Sequence, residues 1–490
     1  MMGGSTRLGS REILVALGLG VLAASVVAGV DARAVAPVVA LFAVLVAGHE
    51  TLLTWRNLLA FVIGVVWFVP IRIYTLPAGL PFDLELYRIV VAAVLAAWFA
   101  SLLVDTRVRL QRSALDPPLV LLLGAVIGSE LTNPGRVSSL GSDVAKSLMF
   151  LLSFILVYYF VLSVVRDRAA VERVVRVLTV CGIVVAFSAV VERRTGYNVF
   201  HHLQSFARFL EYHAPLGDER GGHPRAFGSS QDPIAFGAAL AMMVPLSIYL
   251  AYTSSRRWWL GTVVLLLGIM STASRTAVVM VVIAAAVLFW LRREDVVRLW
   301  PALLPLVVVI HFATPGAIGT FRYLFNPPGG IVNEQTRLAP NANPLLAGGR
   351  LRLIGPSLDE ASRRPLFGEG WGTRLTGFDT PNRNAPILDN AWLGTLLEIG
   401  GVGVAAFIWL MVRAVRMLAR AAKASADDSR LYAALAAAIA AFGVGMATYD
   451  AFSFIQVAFL FWLLLAVAAV AIRLAPAAAQ GRPQAVRPVD

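Results

Sequence analysis

Long apolar runs, repeated along the chain, constrain its fold more than any other feature. A helix needs about 20 apolar residues to cross the hydrocarbon core of a bilayer. Of the 490 residues, 58% are hydrophobic and only 14% are charged. We therefore predict an all-α fold, a polytopic membrane bundle of about 12–14 transmembrane helices. The predicted helices lie near 12–30, 34–48, 57–73, 88–105, 116–130, 144–165, 171–191, 232–252, 257–271, 275–291, 298–313, 389–415, 430–448 and 452–474.

Arginine clusters in alternate short loops predict the orientation of the bundle. By the positive-inside rule these loops and both termini are cytoplasmic, as expected of a multi-pass protein of the cytoplasmic (inner) membrane. The domains are then N-terminal transmembrane helices (1–191), a first long extracytoplasmic loop (192–231), central transmembrane helices (232–313), a large extracytoplasmic loop (314–388), C-terminal transmembrane helices (389–474) and a disordered cytoplasmic tail (475–490).

Charge and motif content exclude several classes of function. The net charge is +13. We attribute it to arginines in cytoplasmic loops and beside lipid head groups, so membrane lipids rather than nucleic acid are the expected partners. Cys181 is the only cysteine, and the histidines lack metal-ligand spacing, so no metal site is predicted. The sequence has neither a P-loop nor a Rossmann glycine pattern, and no cofactor is expected.

The large loop contains one segment with helical periodicity. In "GRLRLIGPSLDEASRR", Leu351, Ile354, Leu358 and Ala361 share one face, and the pattern ends before Pro365. We expect a short amphipathic helix that lies over the bundle.

Arg275 is an unexpected charge in "GIMSTASRTAVVMVV", where one apolar run ends and the next begins on the predicted outer side. Such a charge pairs with an acid, reaches toward head groups, or binds phosphate at the positive end of the helix that begins at Thr276. Arg220 and Arg225 precede another helix, with Asp232 as its expected cap. Arg225 is either a solvated loop residue or a partner that faces Arg275.

The stretch "LDNAWLGTLLEIGGVGV", Leu388 to Val404, opens a predicted helix with Asp389 and Asn390. Asp389 is either the helix cap or a proton acceptor at the membrane surface, and both roles stay open. Asn390, Gly394, Glu398 and Gly401 form a small and polar seam that we expect to face other helices, with the glycines allowing close helix packing. Glu398, about two turns into the membrane, is expected to be paired or protonated and structural.

Three pieces of this sequence resemble the O-antigen ligase and polymerase family of membrane glycosyltransferases. They are "RAFGSSQDPIAFGAAL", "STASRTAVV", and "GGRLRLIGPSLDEASRRPLFGEGWGT" followed by "DNAWLGTLLEIGGVGV". The resemblance implies that Arg225 and Arg275 bind the pyrophosphate of a lipid carrier. Asp389 stands where the family usually has a histidine that activates the acceptor hydroxyl. Arg220, Arg350 and Asn390 are expected to bind substrate.

The resemblance implies an enzyme that needs no metal and moves a saccharide from a polyprenyl (undecaprenyl) pyrophosphate to an acceptor hydroxyl, with its active site extracytoplasmic. The partners are then the lipid-linked saccharide donor and a glycolipid or saccharide acceptor. An O-antigen-ligase-like enzyme and a polysaccharide polymerase of the same family differ only in the acceptor, and the sequence does not separate them. A polysaccharide or lipid transporter, the alternative of another class, would place charges near mid-membrane in several helices.

Overall fold

The computed structural model describes residues 15, 18–20, 23, 53–76, 84–105, 108–205, 207–208, 210–214, 219–220, 223–314, 353–375, 384–386 and 388–475. The predicted helix 34–48 and most of the predicted helix 12–30 therefore lie outside the described residues. So does nearly all of the predicted tail.

Helices dominate the described residues, and the predicted all-α membrane bundle is confirmed. The helices are α1 (Trp55–Phe68), α2 (Leu86–Val104), α3 (Asp116–Thr132), α4 (Pro134–Ser139), α5 (Gly141–Val164), α6 (Arg168–Thr195), α7 (Pro233–Thr253), α8 (Trp258–Ser271), α9 (Arg275–Leu291), α10 (Arg293–Val297), α11 (Leu303–Ala313), α12 (Ile354–Ser362), α13 (Ala391–Ala424), α14 (Ser429–Gly445) and α15 (Ile455–Leu474). Two short 3₁₀ helices span Val199–Ser205 and Trp300–Ala302.

Six helices among the described residues are long and apolar enough to cross a membrane: α2, α5, α6, α7, α13 and α15. Four apolar helices are shorter, namely α1, α8, α9 and α14. The prediction of one continuous helix over 298–313 is wrong. That region is a bent pair with an angle of 56° between Arg293–Ala302 and Leu304–Ala313. Pro301 and Pro305 fall at this bend, and a proline inside a helix removes a backbone hydrogen bond.

The centre of the bundle is formed by α15 and α7. The apolar window of α15 is wholly buried and that of α7 is 89% buried. Both helices are apolar on all sides, which is typical of a helix surrounded by other helices. Phe461 of α15 stacks on Phe442 of α14 with 4.1 Å between ring centroids. Close aromatic packing therefore connects the C-terminal helices to the core.

Two small antiparallel sheets, which we did not predict, lie in the connections. β1 (Tyr74–Thr75) pairs with β2 (Glu211–Tyr212), and β3 (Glu219–Arg220) pairs with β4 (His223–Pro224). The first of them joins the segment after α1 to the segment after α6.

The amphipathic helix expected in the large loop is present as α12, and it packs on the first turns of α13. Its buried face agrees with the predicted one at Ile354 and Ala361 and differs at Leu358. Ser357 and Ala361 are buried, Ile354 is partly buried, and Leu358 is 50% exposed. Ala361 packs with Leu393 and Leu397 of α13 in one small hydrophobic cluster.

Candidate functional site

The segment that contains Arg225 lies against the connection between α8 and α9. Arg225 is only 3% exposed, and its Nε donates to the carbonyl oxygen of Thr272 at 2.8 Å. The backbone N–H of Ala226 donates to the carbonyl of Ser271 at 3.1 Å. Arg225 is thus a buried residue that holds two chain segments together, and the prediction of a solvated loop arginine is excluded.

Arg275 is the first residue of α9, where the predicted span 275–291 also begins, and its side chain is exposed. The side chain of Ser274 caps the helix by accepting from the N–H of Ala277. Ala273, with φ of 48°, supplies the sharp turn between α8 and α9. Arg275 therefore lies at the positive end of a helix and is accessible from outside the bundle.

The turn after Arg225 is held by side chains at the end of α6. The carboxylate of Glu192 accepts from the N–H of Phe227 at 3.1 Å and of Gly228 at 2.8 Å. Asn198 donates to the carbonyl of Gly228 at 2.9 Å. The sequence interpretation missed this role because it placed Glu192 in a loop. A carboxylate at the end of an apolar run was the available signal.

Arg193 adds a second buried cation at this point. Its guanidinium donates to the carbonyl of Pro224, and it is close enough to Arg225 for their positive charges to repel each other. Asp232 caps α7 through a 2.6 Å hydrogen bond from the N–H of Ile234, as predicted. The chain before α7 is thus fixed by polar contacts on both sides of Arg225.

The loop between α14 and α15 joins Asp389 to Arg275. The N–H of Ala391 donates to the carbonyls of Met446 (2.8 Å) and Tyr449 (3.1 Å). The hydroxyl of Thr448 donates to that of Thr276, beside Arg275, at 2.9 Å. The segments that contain Arg225, Arg275 and Asp389 therefore meet at one end of the bundle, which we name the site end, where α7, α9 and α13 begin.

Asp450 is an acidic residue at the site end that the sequence interpretation missed. It is partly buried, and its carboxylate accepts from the hydroxyl of Ser453 at 2.5 Å. Burial raises the pKa of Asp450 above its ordinary value; the negative charge of Asp389 raises it further, whereas Ser453 and Arg72 lower it. The two carboxyl groups are therefore close enough to interact. An acid in the short break between two apolar runs was the signal.

The cap of α13 is Asn390, not Asp389. The side-chain oxygen of Asn390 accepts from the N–H of Leu393 at 3.1 Å. Asp389 precedes the cap with a φ of 49°, a left-handed conformation that aspartate and asparagine adopt more readily than most other residues. The capping role left open for Asp389 is thus excluded.

Helix α13 is interrupted at Gly400, which has φ of 66° and ψ of −170°. The interruption leaves backbone N–H and C=O groups of α13 without partners inside the helix. These groups form hydrogen bonds with the segment 365–372 ("PLFGEGWG"). Glu369 and Gly370 donate their N–H groups to the carbonyls of Leu397 (2.9 Å) and Glu398 (3.1 Å). In the other direction, the N–H groups of residues 401 and 402 donate to the carbonyls of residues 365 and 366 at 2.7 and 3.2 Å.

The prediction that these glycines serve helix packing is therefore wrong at Gly400. A Cβ there would lie 2.2 Å from the carbonyl oxygen of Leu366. The glycine instead permits contact with the backbone of a loop. Gly394, which belongs to the predicted seam, has no described residue within 4 Å of its Cβ position. At Gly401 the seam meets the carbonyl oxygen of Pro365, 3.1 Å from its Cβ position, and at Glu398 it meets α3, whose Ser129 hydroxyl donates to the Glu398 carbonyl at 2.5 Å. The seam therefore contacts both the loop and a helix.

Glu398 is paired, as expected, since its carboxylate accepts from the N–H of Gly372 at 3.2 Å. The same loop is fixed by ion pairs from Arg136 to Glu369 (2.7 Å) and from Arg374 to Glu360 (2.5 Å). These contacts hold the loop and the residues after it against α4, α12 and α13. Among the described residues, no group of three or more His, Cys, Asp or Glu side chains is arranged to hold a metal ion.

A comparison with protein families gives one match, to O-antigen ligase, over residues 260–408. Over these residues the chain is similar to the O-antigen ligase family. None of the curated proteins matches the chain. The O-antigen ligase domain extends from α8 to the middle of α13. It contains Arg275, the docked loop and Asp389, whereas Arg225 precedes it.

The positions of two other predicted site residues, Arg220 and Arg350, are less well defined. Arg220 pairs through its backbone with His223 in the β3–β4 hairpin, and its side chain is outside the description. Arg350 lies outside the described residues. Their predicted contact with substrate stays a prediction.

Proposed function

We propose that this protein is a glycosyltransferase that moves a saccharide from a polyprenyl pyrophosphate carrier to an acceptor hydroxyl at the site end of the bundle. The observation that carries the proposal is the O-antigen ligase match over 260–408, because this segment includes both Arg275 and Asp389. The site end then faces the extracytoplasmic side, and both termini are cytoplasmic, in agreement with the positive-inside rule.

Arg275 is the residue proposed to contact the pyrophosphate. It is exposed at the first position of α9, where the helix dipole and the guanidinium favour the same anion. Arg225 lies beneath, bonded to Thr272 three residues before Arg275. Its proposed role is to fix the turn that presents Arg275 and to add positive charge behind it. Charge that develops on the leaving pyrophosphate is stabilised in this way.

Asp389 is proposed as the general base. The acceptor hydroxyl gives its proton to the Asp389 carboxylate, its oxygen bonds to the anomeric carbon, and the bond from that carbon to the pyrophosphate breaks with the electron pair leaving on the phosphate. A second carboxyl group stands beside the proposed base, since Asp450 lies close enough to Asp389 for the two to interact.

The test uses purified protein, a polyprenyl-pyrophosphate oligosaccharide and acceptors of two classes, a glycolipid and a second lipid-linked saccharide. Transfer is expected to fall at least about 100-fold in Arg275→Ala and Asp389→Asn. Asparagine tolerates the left-handed backbone at 389, so this change removes charge without disturbing the turn. The acceptor that is used separates a ligase from a polymerase, and activity is expected to persist in EDTA.

Matched controls are available at exposed positions of the same chain. Arg208→Ala removes an exposed arginine from the loop after α6, and Asp359→Asn removes an exposed acid from α12; both are expected to retain full transfer. Full activity of Arg275→Ala would refute the pyrophosphate contact, and full activity of Asp389→Asn would refute the base.

A further inference from the structure

Among the described residues, a groove at the far end of α13 is lined by six side chains of that helix: Trp409, Val412, Arg413, Arg416, Met417 and Arg420. Its volume is about 230 Å³. One side of the lining is cationic and the other is apolar or aromatic. The groove belongs to no part of the site end.

The three arginines of the groove are not neutralised by the rest of the described chain. Arg413 donates through Nε to the carbonyl of Ala114 at 2.7 Å, and its guanidinium lies 6.0 Å from the ring centre of Trp409. Arg416 and Arg420 are exposed. None of the three forms an ion pair with any described residue. Three like charges on neighbouring turns repel each other, so an anion is the complementary ligand.

The position of the groove along α13 indicates that this anion is the head group of a membrane lipid. At about 1.5 Å per residue, the length of α13 from Ala391 to Arg413 is at most roughly 33 Å, because the break at Gly400 interrupts the helix. This length is close to the thickness of the hydrocarbon core, about 30 Å. The groove therefore lies at the membrane interface opposite to the site end. Trp409 is typical of this depth, since tryptophan concentrates at the interface between lipid and water.

We propose that this groove binds the head group of an anionic phospholipid in the leaflet opposite to the site end. Arginine forks suit the phosphate oxygens, and Trp409, Val412 and Met417 are apolar surface for the glycerol and the first methylenes of the acyl chains. A zwitterionic lipid gains less from three cations, because its own positive group opposes them.

The test is a titration of the purified full-length protein in detergent with phosphatidylglycerol or phosphatidylcholine, with bound lipid counted by native mass spectrometry. The double variant Arg416→Gln/Arg420→Gln is expected to bind phosphatidylglycerol roughly 30-fold more weakly than the wild type. Phosphatidylcholine is expected to bind weakly to both. Arg413 is left intact because its bond to Ala114 is structural.

The matched control is Arg256→Gln/Arg257→Gln. These arginines are exposed in the turn between α7 and α8, at the same end of the bundle, and binding within twofold of the wild type is expected. Equal losses in both double variants would reduce the effect to general charge and overturn the proposal, as would unchanged binding in the groove variant. Effective competition by soluble glycerol phosphate would identify a free-phosphate site and overturn the assignment to lipid. All of these outcomes are independent of glycosyl transfer.

Discussion

Replacing Gly400 by alanine tests whether the break in α13 and loop 365–372 form one structural unit. Alanine does not tolerate φ of 66° with ψ of −170°, a region restricted to glycine that costs on the order of 1–3 kcal/mol for other residues. The new Cβ would also lie 2.2 Å from the carbonyl oxygen of Leu366. That oxygen belongs to the backbone, so relief requires the whole loop to move.

The magnitude follows from the hydrogen bonds that join the loop to the break. Loop movement breaks the bonds from Glu369 and Gly370 to α13 and those from Gly401 and Val402 to the loop. At about 1 kcal/mol for each bond, together with the conformational cost, the docked state loses on the order of 5 kcal/mol.

Hydrogen exchange with mass spectrometry measures this change directly. In Gly400→Ala, peptides that cover 365–372 and 397–403 are expected to exchange at least about 100-fold faster than in the wild type. The control is Gly394→Ala in the same helix, where a methyl group meets no described residue within 4 Å and alanine favours the helix by about 0.5–1 kcal/mol. Unchanged exchange in Gly400→Ala would show that the loop is not held by the break.

Three further changes probe other parts of the site end. Glu192→Ala removes the acceptor of two buried N–H groups and is expected to destabilise the turn by about 2–4 kcal/mol; an unchanged melting temperature would contradict this role. Asn390→Ala is expected to cost about 1 kcal/mol as a lost cap, seen as a small fall in melting temperature, whereas Asp389→Asn leaves it unchanged. Burial and Asp389 raise the pKa of Asp450, so the stability that this group contributes is greatest below about pH 4, the unfolded value, and is lost as the pH rises through the raised folded pKa. The Asp450→Asn variant stays neutral at every pH, so above about pH 4 it is expected to melt at a higher temperature than the wild type. A difference in melting temperature that does not widen as the pH rises would exclude the effect.

The sequence alone determined the fold class and the positions of most helices. Apolar length is a local property, and the cost of exposed backbone in lipid leaves helices as the main solution for long apolar runs. Every helix predicted from 57–73 onward has a counterpart, and α9 spans the predicted residues. Asp232 was also assigned correctly as a cap, because capping depends only on the next few residues.

Only the tertiary structure decided which groups face one another at the site end. The contact of Arg225 with Thr272, the support from Glu192, and the nearness of Asp450 to Asp389 join residues far apart in the chain, and no local pattern encodes such distances. The interruption at Gly400 is of the same kind, because the segment of α13 reads as one apolar run. The break becomes favourable only when loop 365–372 supplies hydrogen-bond partners for the backbone groups that the helix leaves unpaired.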